Sequence, residues 1–212
     1  YGSYRGFTPG FNSDLKPEEG WQVEAGLSVE VWKKLVYDLR VYQLTMRDEI
    51  AWGLKRNENL DKTRRNGLET GLRWADAKWG AVGLNYQLID AEFAAGANED
   101  KTIPLVPTQV VSLDGELKVA YGVSLLGAVR AVSSQYVGGD NANVSDRMTG
   151  YATVDTGVRY EPAFLKDVSL LFSCDNVFDK TYATTGFWGW GYGDSYYPAN
   201  GRTWKVSASY AF

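Results

Sequence analysis

The chain has 212 residues in the proportions of an ordinary folded protein, 44% hydrophobic and 23% charged, with a net charge of −4. That acidic balance excludes a nucleic-acid binder, whose phosphate contacts need clustered Lys and Arg. With 8 Trp and 14 Tyr but no His and one cysteine, Cys174, the chain lacks the usual base near neutral pH and can form neither an internal disulfide nor a thiolate zinc cluster.

No apolar run reaches the ~18 residues of a transmembrane helix, which leaves crossing by strands open. Residues 1–19 are rich in Gly and Pro, do not alternate and carry no signal peptide; they read as a loop. From residue 20 onward, period-two alternation broken by turn clusters predicts nine strands. They lie near 20–31, 35–52, 65–75, 79–94, 108–120, 123–137, 150–161, 167–178 and 202–212. In the second, the apolar phase flips at Val41/Tyr42, either as a β-bulge or because the strand leaves the bilayer there.

The connections alternate in length. Residues 32–34, 76–78, 121–122 and 162–166 are short; 55–64, 95–107, 138–149 and 179–202 are long. Sequential strands joined this way form an antiparallel up-and-down meander with every tight turn at one end. Short periplasmic turns opposite long extracellular loops are the mark of an outer-membrane barrel, and the aromatic excess suits belts at its two interfaces. On that reading residues 1–19 are extracellular and the last strand runs toward the periplasm. An odd strand count does not close a barrel with both termini in the periplasm, so upstream strands are expected to be missing.

Three passages resemble the TonB-dependent outer-membrane receptors. Phe11 through Glu19, with Leu15, Pro17 and Glu18, is similar to that family's entry into a barrel strand. Asn176-Val-Phe178-Asp179-Lys-Thr-Tyr182 is similar to its "N-L-F-D-K-x-Y" signature, with Val177 where Leu is usual. Gly201-Arg202 through the terminal Phe212 is similar to its closing strand. The resemblance implies the C-terminal part of a roughly 22-stranded barrel, all-β, in the bacterial outer membrane, with the plug domain absent from this chain. It further implies active uptake of a ferric siderophore, cobalamin or similar large nutrient. Energy would come from TonB through the missing N-terminal region, and the last strand would be read by the barrel-assembly machinery.

No catalytic constellation, metal site or cofactor site emerges. Asp48 and Glu49 are adjacent, and neighbours in a strand face opposite sides. Asp140 to Asp146 could offer oxygen ligands to Ca²⁺, although Asx turns explain such a run more simply. The candidate ligand contacts are Phe187, Trp188, Trp190, Tyr192, Tyr196 and Tyr197, aromatics interleaved with glycines in the last long loop. They suit either a lip that stacks on a planar ligand or an aromatic belt. Phe7 and Phe11 are expected at the same vestibule, and Glu69, Arg73, Asn85, Gln87, Asp114, Glu116 and Lys118 in the lumen. Two rivals predict different walls. A small self-contained barrel would pair its first and last strands, and a soluble carbohydrate-binding domain would pack an apolar interior.

Overall fold

The computed structural model describes residues 12–52, 56–165, 167–189 and 193–211, and every regular element in them is a strand. Nine form one antiparallel sheet in chain order. They are β1 (Glu19–Trp32), β2 (Leu35–Arg47), β5 (Lys62–Asp76), β6 (Gly80–Ala95), β7 (Gln109–Ala120), β8 (Val123–Val132), β9 (Tyr151–Tyr160), β10 (Val168–Asp175) and β13 (Thr203–Tyr210). Two small hairpins stand in the long loops: β3 (Ile50–Trp52) with β4 (Asn57–Asn59), and β11 (Ala183–Phe187) with β12 (Ser195–Pro198). The nine expected strands are therefore present, with changed ends. The strand expected over 35–52 stops at Arg47, because Asp48 takes a left-handed φ of 52° and turns the chain into β3. The one expected over 167–178 stops at Asp175, before Asn176 at φ 51°. At Val41/Tyr42, β2 keeps an unbroken register with both neighbours, so the phase flip is not a bulge.

Directly opposed residues share a face, so the register maps both surfaces of the wall. One face carries the row Leu72, Leu84, Leu113, Val129, Val154. The next row toward the short turns on that face is Val82, Gly115, Gly127, Thr156, Cys174, Trp204. The other face carries Arg40, Glu69 and Gln87 in one row and Gly83, Asp114, Ala128 and Asp155 in another. All seven residues expected in the lumen share this polar face.

The apolar face is left open: Val23, Leu72, Leu113, Leu125, Phe172 and Val206 are all exposed. The buried hydrophobics Ala91, Phe93, Ile103, Val132, Val137, Met148 and Cys174 gather at the long-loop end. A soluble domain packs the reverse way, so the carbohydrate-binding reading fails. Among the described residues β1 pairs only with β2, and β13 only with β10, so the self-contained barrel fails as well. Strands of 14, 15 and 16 residues in β1, β5 and β6 exceed the ~9–11 that span a bilayer. The excess projects at the long-loop end. At the opposite end each of the four short turns shows one exposed ring: Trp32, Trp79, Tyr121 or Phe164. That is an interfacial belt.

Tyr42 is paired with Gly67, and its ring occupies the space that a Cβ at Gly67 would need. Glycine is required there for close approach. Gly67→Val is expected to displace the ring and cost about 1–3 kcal/mol. The test is the urea midpoint in reconstituted vesicles, which should fall at unchanged slope.

Candidate functional site

Three long loops are stitched together at the projecting end. In the loop after β6, the Ile103 amide donates to Ala91 O at 3.0 Å, and the buried Ile103 packs with Ala91 and Phe93. The Leu105 amide then donates to Tyr136 O at 3.0 Å in the loop after β8. That loop meets β11 through Gly138 N–H to Gly186 O at 2.8 Å and Trp188 N–H to Gly138 O at 2.9 Å. Asp140 is 1% exposed, and its carboxylate accepts the Val144 and Ser145 amides at 2.9 Å each. Asn143 bonds both the N–H and the C=O of Thr102. The carboxylate oxygens of Asp140 and the side chain of Asn143 are thus engaged with backbone.

The passage before β1 anchors the β3–β4 hairpin. Glu18 accepts the Ile50 amide at 2.6 Å. Asn59 accepts the Lys16 amide at 2.8 Å and donates to Lys16 O at 3.0 Å and Asp48 O at 2.6 Å. Leu15, half-buried, and Pro17, exposed, flank this ladder. Glu49 at the hairpin's base takes a two-pronged contact from Arg65, at 2.7 and 3.1 Å, and the Thr63 hydroxyl at 2.7 Å. Burial alone would raise the Glu49 carboxyl; the Arg65 and Thr63 contacts outweigh it and hold it below its ordinary value. A depressed carboxylate contributes stability that is present above its unfolded pKa, about 4.3. That stability is lost as pH falls through the folded value. Acidification below about pH 4.3 is therefore expected to loosen this hairpin, and Glu49→Gln to remove the pH dependence. Amide exchange at Ile50 and Leu60 reads both.

The other two passages meet each other. The Asn176 amide donates to Asp155 Oδ1 at 2.7 Å. Its side chain donates to Lys180 O at 2.9 Å and Asn200 O at 3.2 Å, and accepts the Lys180 amide at 2.8 Å. Asp179 accepts the Arg202 amide at 2.8 Å, and a Cβ at Gly201 would approach the same carboxylate oxygen to 2.8 Å. Arg202 Nη1 donates to Val177 O at 3.3 Å. Tyr182 lies on Tyr151, with ring centroids 4.3 Å apart. Phe178 is 77% exposed on the rim. Together these residues pinch the neck of the last long loop.

Beyond the neck, Phe187 and Tyr197 meet edge to face at 5.8 Å, and both remain about half exposed, as does Tyr196. Burial, followed by the charges of Asp194 and Asp146, holds the Tyr196 phenol above its ordinary value. Trp190, Tyr192 and Phe212 lie outside the described residues, as do Phe7 and Phe11. A cleft of about 560 Å³ beside this lip is lined by Arg147, Met148, Lys180, Tyr182, Tyr196 and Pro198. Sequence reasoning missed Arg147, which lies over the Tyr136 ring at 4.7 Å. It also missed Tyr151. A lone Arg in a loop carries no pattern that flags it.

Below the mouth the polar face is tied into a ladder. Arg40 reaches Glu24 at 2.6 Å and Glu69 at 3.6 Å, and Gln87 donates to Glu69 at 3.2 Å. Arg159 pairs with Glu116 at 2.9 Å, and Lys205 with Asp175. Such a wall is suited to water or to a polar partner.

The family model described as TonB dependent receptor-like, beta-barrel matches residues 1–177. The ferrioxamine receptor of Yersinia enterocolitica is 26% identical over 190 residues, covering 84% of this chain and 26% of that protein. Among solved structures, the siderophore receptor PiuA of Acinetobacter baumannii superposes with a TM-score of 0.77 at 19% identity. That match spans 94% of this chain and 30% of the receptor. The ferric yersiniabactin uptake receptor of Yersinia pestis superposes at 0.75 and 23% identity, over 92% and 30% of the two chains. This chain spans less than a third of the length of these relatives. Its meander, its inverted faces and its family match agree: the chain belongs to the family of TonB-dependent receptor β-barrels.

Proposed function

We propose that these residues form part of the wall and mouth of an outer-membrane receptor that takes up a ferric siderophore, energised through TonB. The carrying observation is the mouth. Exposed Phe187, Tyr196 and Tyr197 stand beside a cleft bearing Arg147 and Lys180. Aromatic faces stack on the flat chelating groups of such a ligand, and cations attract a complex of net negative charge. The relatives support iron over cobalamin, since those named above take ferrioxamine, a siderophore or ferric yersiniabactin. The chain itself makes and breaks no bonds; TonB reaches the receptor outside these residues, and a plug domain outside them rests on the polar ladder. The last strand serves the barrel-assembly machinery, joining it by edge addition.

The test is radio-iron uptake, from ferrioxamine and from a catecholate complex, by cells that carry or lack the full-length receptor, with and without TonB. Uptake that needs both proteins is expected. Uptake unchanged by loss of either would end this reading, and cobalamin uptake in place of iron would correct the ligand.

A further inference from the structure

We propose that a groove on the apolar face holds one anionic phospholipid of the leaflet at the short-turn end, its acyl chain in the groove and its headgroup at Lys78. The groove has a volume of about 540 Å³. Its floor is Gly115 and Gly127, directly opposed across β7 and β8. Leu113 and Val129 form one wall, Leu117 and Leu125 the other, and Trp79 stands at the turn end. Here two directly opposed positions of the apolar face carry no side chain. A Cβ built on Gly127 meets nothing within 4 Å.

Two features turn this recess into a site for one class of lipid. First, a void in contact with hydrocarbon forfeits dispersion contacts on its lining, so an acyl segment settling into it is favoured over a gap. Second, Trp79, the ring that lines the groove nearest the turn, carries a cation. Lys78 Nζ lies 4.9 Å from the Trp79 ring centroid, while Lys118, on the polar face, is engaged as a donor to Ala77 O at 3.0 Å. The neighbouring carboxylate of Asp76 is paired with Lys34. An ammonium group beside an interfacial indole complements a phosphate at headgroup depth. The proposal uses the membrane-facing assignment of the apolar face and none of the residues proposed to meet iron chelates, so either can fail alone.

The experiment uses the full-length receptor, purified in mild detergent and titrated with phosphatidylglycerol or phosphatidylcholine, with native mass spectrometry counting bound lipid. One retained phosphatidylglycerol is expected. It should be preferred over phosphatidylcholine by about fivefold, the worth of one ammonium group near a charged headgroup. Gly127→Leu, whose Cβ enters open space, fills the groove and should abolish retention, while heat-modifiable gel mobility shows that the wall still folds. Should that variant not fold, Gly127→Val makes the same test with a smaller strand-forming side chain. Lys78→Gln should keep the lipid and lose most of the preference. Equal retention by the wild type and the groove-filled variant overturns the proposal, and so does retention without preference for the anionic lipid.

Discussion

Replacing Asn176 with Leu is expected to destabilise the wall by about 4 kcal/mol. Three side-chain hydrogen bonds disappear, each worth about 1 kcal/mol net, and a branched apolar residue is forced into the left-handed conformation at about 1–2 kcal/mol. Asn176 is buried, and an apolar replacement there offers no donor to the carbonyls of Lys180 and Asn200. Asn176→Asp keeps the acceptor for the Lys180 amide and tolerates the same backbone, but it loses both donations; about 2 kcal/mol is expected. The order wild type, Asp, Leu should appear in urea midpoints measured in vesicles. It should appear again in the rate at which protease cuts between residues 183 and 198. A Leu variant as stable as the wild type would show that the neck is held elsewhere.

Truncating Phe187 and Tyr197 together to Ala is expected to weaken capture of a ferric siderophore by about a hundredfold, roughly tenfold for each ring lost from a stacked contact. This follows from the proposed function, and its logic is positional. The two rings brace one another edge to face and still present half their surface outward. Because they sit beyond the neck, the urea midpoint should hardly move. Whole-cell binding of the ferric catecholate complex measures the loss, and Trp79→Ala, at the far end of the wall, serves as the variant that leaves binding unchanged. Unaltered binding in the double variant would assign these rings to loop packing alone.

The architecture was legible in the sequence because a wall between lipid and water writes itself in period two, as at Val82-Gly-Leu-Asn-Tyr86-Gln-Leu. Loop lengths gave the up-and-down order. Strand ends were less legible. The break at Asp48 and the stop before Asn176 depend on single left-handed residues held by partners far along the chain, and alternation carries no trace of those partners. The flip at Val41/Tyr42 was visible as a change of phase, but its meaning needed the register with β5. The three family passages were recognisable as strings; that Asp179 grips the backbone at Arg202 is a contact across 23 residues that no local pattern states. The last long loop was half legible. Interleaved aromatics and glycines drew notice to Phe187 and Tyr197, whereas Tyr151, which supports Tyr182, sat inside an ordinary strand.

The pinch between Asp179 and Gly201 separates two kinds of inheritance. What lies below it must match its neighbours across the sheet; what lies above is tied to a neighbouring loop, at Gly138. A segment transplanted from another receptor between these two residues would meet the same fixed posts. Under the proposed function, cargo is chosen above these posts, and the strings that reveal kinship are silent about diet because they are the posts.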